Sequence, residues 1–432
     1  MRLCFLSGRG KDVNMEREKV GRVFKGAVIV FFALIVVDTL GGCAYYKIRP
    51  QPQVKGELKV AGLKESVEIL RDVGGKPHIY ANNMQDLFFA QGYVQAQDRW
   101  WQMEFFRKTC GGRIEELTGR KTALVNSDIY LRSLGLYKVA EKEYNSFRAR
   151  DRAVLDAFAA GVNAYISGRS PQQLSVNYSI LGLTGVKFKV EPWSPLDTLV
   201  FSKLMAWDLG LSRDLEIIRA RLYAKLGAKM AEQWLVPAWP LGLKPTILLD
   251  EDIKAMYPGS LALSPTPPER ITAEITQAYD NPAADLSHIM GQTEGIGTNS
   301  WVATGSMTKH GKALLANDPH LRIQQPSIWY EVALHCPDDG NGRPFDVSGF
   351  SFAPSPGVVA GHNNDIAWGD SNVYPDVNDL YQIKVNPANP FQYEWNKKWR
   401  NMTVREETIR FGDGKPSIKI KVRITHLGPI IN

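Results

Sequence analysis

The chain has 432 residues, of which 44% are hydrophobic and 22% charged. That is enough for two or three ordinary domains with a substantial core, and it excludes a disordered protein. The net charge of +7 is uneven: residues 1–25 hold seven Lys/Arg against three acids, so only +3 is left for the rest. So small an excess disfavours a nucleic-acid binder, which concentrates positive charge on its folded part to neutralise phosphates.

The first element is an apolar run, Ala27 to Val37, short for a bilayer span and preceded by positive charge. It reads as the core of a signal peptide. Leu40-Gly41-Gly42-Cys43 behind it resembles the lipobox of bacterial lipoproteins, in which the cysteine is lipidated and becomes the mature N-terminus, with Met15 as the start of the signal. An uncleaved anchor helix running through Leu40 and a plain cleaved signal are the alternatives. All three make residues 1–43 an address and place the folded part outside the cytoplasm, in the bacterial periplasm. Cys110 and Cys336 would then face an oxidising compartment, with their pairing left open. Neither a C-x-x-C among the four cysteines nor an H-E-x-x-H among the seven histidines points to zinc.

From Lys59 to Tyr80 the pattern predicts a hairpin that turns at Gly74-Gly75-Lys76-Pro77. Asn83 caps the next helix, with Asp86 in its first turn. Leu87, Ala90, Val94, Trp101 and Phe105 form one helical stripe, and Phe89, Tyr93, Ala96, Trp100 and Met103 a second. A helix apolar around most of its circumference should be deeply buried. Further helices are expected at 148–167, 195–209 and 213–227. The second opens with Ser194-Pro195-Leu196-Asp197, a capping box with proline at the first helical position.

Residues 241–297 are Pro-rich and aperiodic, as in Ser264-Pro265-Thr266-Pro267-Pro268, and read as a linker or an excised spacer. After Gly297 short strands are expected at 299–304, 313–317, 328–336, 345–352, 358–360, 365–368, 379–384 and 416–425, with Lys397, Lys398 and Arg400 in a solvated turn. A helix-rich half followed by a strand-rich half predicts an α+β fold of packed layers.

Chemistry concentrates at the Gly297-Thr298 junction. An internal threonine is a poor nucleophile, but cleavage before Thr298 would free an α-amine whose pKa of roughly 7.7–8.0 suits a general base near neutral pH. One residue then supplies nucleophile and base. The preceding glycine lets its carbonyl approach the hydroxyl in a strained turn. Taken alone, a threonine opening a strand is an ordinary β-former.

Gly297-Thr298-Asn299-Ser300-Trp301-Val302 is followed by Gly311 through Leu321, containing Asn317-Asp318-Pro319-His320, and by Gly361-His362-Asn363. These segments resemble the β-chain opening of the penicillin acylases, N-terminal-nucleophile hydrolases made as one precursor. Upstream, Arg71-Asp72, Pro77 through Ala81 and Ala90 through Arg99 resemble the family's α-chain opening. The resemblance runs from about residue 60 to 432 in the family's order.

The resemblance implies an αββα sandwich, an α-chain-like region at 59–240, cleavage before Thr298, and a β-chain-like region from 298 to 432 that stays associated as a heterodimer. The family usually has serine where this chain has Thr298. By position, His320 falls near the nucleophile's amine, and the backbone N–H of Asn372 falls at the oxyanion site. Glu216, Asp376, Asn378 and Asp379 fall at a structural calcium ion. Met205, Leu209, Leu321 and Ala360 would line a mostly aliphatic acyl pocket. Plainer readings stand beside these: a turn-capping histidine, an acidic surface turn, and ordinary helix core. In the family a second oxyanion donor and further pocket residues lie beyond the position of Asn432, so the chain reads as the first half or so of a precursor.

The expected activity is hydrolysis of linear amides in small N-acyl compounds, such as β-lactam side-chain amides or acyl-homoserine lactones. The rival is a surface lipoprotein that binds with the same scaffold and has lost catalysis. Ser306-Met307-Thr308-Lys309 matches the S-x-x-K of β-lactamases, but it lies in a Gly-bounded turn instead of at a helix start, and no K-T-G accompanies it.

Overall fold

The computed structural model describes residues 41–42, 48–210, 212–234, 297–321, 323–372 and 379–431. Nearly all of the signal or anchor segment and of the spacer lies outside the described residues. Among the described residues no helix is long and apolar enough to cross a membrane.

The helix-rich half begins with the expected hairpin, β1 (Glu68–Arg71) and β2 (Pro77–Tyr80), paired from Glu68 with Tyr80 to Arg71 with Pro77. Helices α1 (Met84–Cys110), α2 (Glu115–Thr118), α3 (Thr122–Leu134) and α4 (Leu136–Ser146) follow. Next come α5 (Ala149–Ile166), α6 (Pro171–Leu174), α7 (Val176–Gly182), α8 (Pro195–Gly210), α9 (Ser212–Leu226) and α10 (Ala228–Trp234). The sequence reading anticipated α1, α5, α8 and α9 and missed α2 to α4, α6, α7 and α10. In α4, for example, Ala140 alone is fully buried, and the face that packs on the core is built from it with the partly buried Leu136, Tyr137 and Tyr144.

The strand-rich half holds β3 (Gly297–Ala303), β4 (Leu314–His320), β5 (Trp329–Cys336), β6 (Phe345–Phe352), β7 (Ala360–His362) and β8 (Ala367–Trp368). It continues with β9 (Val385–Asn386), β10 (Asn389–Trp395), β11 (Lys398–Asn401), β12 (Thr403–Ile409) and β13 (Ile418–Ile424). The expected strand at 379–384 does not form, and the chain joins a ladder only at Val385. Three strands between 389 and 409 escaped the sequence reading. All four residues of β11 are exposed, so no apolar alternation marked it. Asn396 and Lys397, both at positive φ, close the β10–β11 hairpin; of the charged cluster expected in a turn, Lys397 lies there, whereas Lys398 and Arg400 belong to the exposed strand β11.

One sheet carries most of the architecture, in the order β1-β2-β5-β6-β7-β8, with β2 parallel to β5 and every other pair antiparallel. It therefore joins the first half of the chain to the second. One face packs on α1 and α5 through Ile79, Val332 and Leu334 against Leu87, Val94 and Phe158. Alternation along the strands turns His78, Trp329, Glu331, Ser348 and Phe350 to the opposite face. The result is a mixed α+β fold with helices against one side of the main sheet.

Helix α1 is buried on most sides, as its two stripes predicted. Helix α5 crosses it so closely that a Cβ on Gly92 would lie 2.1 Å from the Phe158 carbonyl oxygen, and one on Gly161 1.8 Å from that of Phe89. Cys110 and Cys336 are separate free thiols, each buried and each in a different hydrophobic cluster. Burial pushes both thiols above their ordinary pKa, so neither is an activated nucleophile.

Two predictions follow from packing. Gly161→Ala must force α1 and α5 apart, and the expected loss is about 1–3 kcal/mol or more, read by thermal unfolding. Asp128 is fully buried and accepts the backbone N–H groups of Ile114 and Glu115. Burial pushes its carboxyl up to about 7, with the Glu115 carboxylate adding to the rise against those two donors. A carboxyl whose folded pKa is raised above its unfolded value near 3.8 favours the folded state most when protonated. Its contribution therefore declines as pH rises from about 4 to about 7, and urea unfolding of Asp128→Asn should show a flatter dependence across that window.

Candidate active site

The site is built on the hairpin β3–β4, whose antiparallel register sets Gly297 opposite His320, Thr298 opposite Pro319 and Ser300 opposite Asn317. Residues directly opposite share a face. Thr298 and Ser300 therefore point the same way as Pro319, Asn317 and Leu315. Those three β4 side chains form one wall of a cavity of about 540 Å³, and the outer face of the main sheet supplies the other, with Trp329, Phe350, Ala360 and His362. The turn between β3 and β4 includes a short 3-10 segment, Gly305–Met307, and Ser306-Met307-Thr308-Lys309 lies in it with no helix behind.

Thr298 is half-buried, and its Oγ1 accepts the backbone N–H of Asn372 at 2.9 Å. The side-chain Nδ2 of Asn372 donates to the carbonyl of Leu209 at the end of α8, at 3.2 Å. Thr298, Asn372 and Leu209, far apart in sequence, thus meet at one point. An amide N–H within reach of the hydroxyl oxygen is also placed to meet negative charge developing beside it.

His320, expected near the nucleophile's amine, is positioned by the β3–β4 register. It lies across the ladder from Gly297, on the hairpin face opposite to the Thr298 side chain. Its Nδ1 is 4.0 Å from where a Cβ on Gly297 would sit. Nε2 is 2.9 Å from Asp318 Oδ2 and 3.4 Å from Asn299 Nδ2. The ring stands beside the peptide that precedes Thr298 instead of beside the hydroxyl. The sequence reading missed Asp318 as its partner, although residues i and i+2 on a strand share a face.

Of the four expected pocket residues, Met205 and Leu321 pack against the same buried cluster, which includes Phe106, Phe201 and Leu204. Ala360 lines the cavity across from Pro319, and Leu209 reaches the site through its carbonyl. Trp329 and Phe350 of the cavity wall were missed. Their strands were legible, but the face each would present was not.

For the expected cation site, Glu216 on α9 accepts the N–H of Leu380 at 2.8 Å, which brings its carboxylate beside Asp379. Asp376 and Asn378 lie outside the described residues. Among the described residues no group of three or more His, Cys, Asp or Glu is arranged to hold a metal.

Residues 66–432 match the family model described as penicillin amidase. The chain is 30% identical over 384 residues to acyl-homoserine lactone acylase QuiP of Pseudomonas aeruginosa, an alignment covering 88% of this chain and 42% of that protein. It is 30% identical over 341 residues to penicillin acylase 2 proenzyme of a Pseudomonas species, covering 76% of this chain and 39% of that protein. Among solved structures, thermostable penicillin G acylase from Alcaligenes faecalis aligns with 43% of this chain and 97% of that chain at 25% identity, with a TM-score of 0.35. The chain spans less than half the length of these two curated relatives. A match that takes in nearly all of the main sheet, the β3–β4 hairpin and the helices between β2 and β3 makes this chain a member of the penicillin amidase family.

Proposed function

We propose that the protein is an amidohydrolase that releases the acyl group from small N-acyl compounds, after scission of its own chain at Gly297-Thr298. The observation that carries this reading is the Thr298 hydroxyl held by the Asn372 N–H, on the same hairpin face as Asn317 and Pro319, which line the cavity. In scission, Thr298 Oγ adds to the Gly297 carbonyl carbon, the C–N bond breaks, and the Thr298 nitrogen takes a proton. Water then hydrolyses the resulting ester to leave a Gly297 carboxylate and a free amine on Thr298.

In turnover, that amine takes the hydroxyl proton while Oγ attacks the substrate amide, and the Asn372 N–H steadies the oxyanion. The amine returns its proton to the leaving nitrogen, and water releases the acyl group from the ester. His320, with Asp318 behind it, stands on the Gly297 side to orient or relay protons.

The αββα sandwich is part of the same reading. It is supported by the helix layer on one face of the main sheet and by the hairpin across the cavity on the other. The two products of scission stay together as a heterodimer, since β2 and β5 are neighbours in one sheet. Glu216, Asp376, Asn378 and Asp379 would hold a calcium ion, whose hard charge suits carboxylate and carbonyl oxygens and would bind α9 to the strand-rich half. The bond from Leu380 to Glu216 supports that placement. The N-terminal segment would carry the protein to the periplasm and attach it to the membrane by lipid or anchor helix.

Mass spectrometry of the purified full-length product tests scission: a chain beginning at Thr298 is expected, and an intact chain would favour the binding lipoprotein. Thr298→Ala should abolish scission and lower turnover by about 10⁴-fold or more, whereas Thr298→Ser retains both. Normal processing of the alanine variant would show that another residue is the nucleophile. Of the expected aliphatic residues Met205, Leu209, Leu321 and Ala360, the last lines the cavity beside Leu315 and Pro319, and on that aliphatic surface rests the preference for a fatty acyl chain. Straight-chain amides should therefore be cleaved faster than an aryl-acetamide, and the reverse order would overturn that preference.

A further inference from the structure

The hydrogen bond between Asn372 and Thr298 joins two pieces of chain that share no ladder. Thr298 belongs to the β3–β4 hairpin, a two-stranded sheet of its own, while Asn372 follows β8 at the edge of the main sheet. Something else must set the distance between them. Asn317 does so from β4, on the same hairpin face as Thr298. Its Nδ2 donates to the Asp370 carbonyl at 3.0 Å and lies 3.2 Å from Ser300 Oγ. Asp370 is two residues before the N–H that meets the nucleophile.

The packing at this point leaves no room for adjustment. A Cβ on Gly369 would fall 2.6 Å from both Cβ and Cγ of Asn317 and 2.7 Å from its Oδ1. Only glycine there lets the loop lie flat against the carboxamide. Beyond it, the Asn372 side chain is tied to Leu209. The loop is thus pinned at Asp370 by the hairpin and at Asn372 by α8.

We infer that Asn317, with Gly369 as its steric complement, is the positioning residue that aims the Asn372 N–H at the oxygen chemistry of Thr298. This rests on the reading of Thr298 as nucleophile and of that N–H as oxyanion donor. Asn317 lines the cavity, but its bond to the Asp370 carbonyl makes it act on the reacting oxygen through the loop. A carboxamide suits the task because it supplies two N–H donors, whereas a carboxylate of the same shape would face the Asp370 carbonyl with like partial charge.

The test compares the full-length protein with Asn317→Asp, which keeps the shape and removes the donors, and with Gly369→Ala, which keeps the donors and displaces the loop. The expected result is a kcat about 10- to 100-fold lower in each on a straight-chain amide, with KM within about twofold. Hydrogen–deuterium exchange of the segment 367–372 is expected to quicken in both variants. Unchanged kcat in either variant, or a loss confined to KM, overturns the inference. So does unchanged exchange at 367–372, a reading that needs no activity. If the unaltered protein has no turnover, the functional reading falls, while exchange in the two variants still decides whether Asn317 holds the loop.

Discussion

A long helix buried on most sides carries buried polar side chains, and in α1 several of them find their partners in the loops that place the main sheet. Asp86, fully buried, accepts the N–H groups of Lys64 and Glu65 and fixes the segment that leads into β1. Gln91 exchanges two hydrogen bonds with the backbone of Gly357, just before β7. Arg99 and Gln102 both donate to the Ser327 carbonyl, just before β5. An orphaned buried donor or acceptor costs about 1–3 kcal/mol, so these clamps are as binding on the sheet's position as the apolar contacts beneath it. The cavity wall formed by Trp329, Phe350 and Ala360 stands where α1 holds it.

The same helix sets α8. Arg107, almost wholly buried, lies against the rings of Trp100 and Trp193, pairs with Glu104, and donates to the carbonyls of Glu191 and Pro192. It thereby anchors the chain immediately before Ser194, where Asp197 accepts the Ser194 N–H and caps α8. Met205 and Leu209 ride on that helix, and Leu209 in turn receives the side chain of Asn372. The loop that carries the Asn372 N–H is thus referred back to α1 through α8 on one side and through the main sheet on the other.

What remains to be located is the hairpin. It contributes Thr298, His320 and one cavity wall, yet it shares no strand pairing with the main sheet. Its registration depends on side-chain bonds to the loop after β8, above all those of Asn317 and Thr298. A cavity walled by two layers in this way has a geometry that depends on the side chains joining them.

Much of this was legible in the amino-acid order alone. The two apolar stripes of α1, the Gly74-Gly75 turn, the capped start at Ser194 and the Gly297-Thr298 junction each follow from local periodicity, capping and turn chemistry, which neighbouring residues dictate between themselves. The resemblance carried by short motifs placed Thr298 and Asn372 in one site before any distance was known. Tertiary structure decided the rest. It showed which face Thr298 shares with Asn317, that His320 stands by Gly297 with Asp318, that Trp329 and Phe350 wall the cavity, and that Gly92 and Gly161 set a helix crossing. Strand pairing, burial and close approach join residues tens to hundreds of positions apart, and no local pattern records which of many compatible partners the fold will bring together.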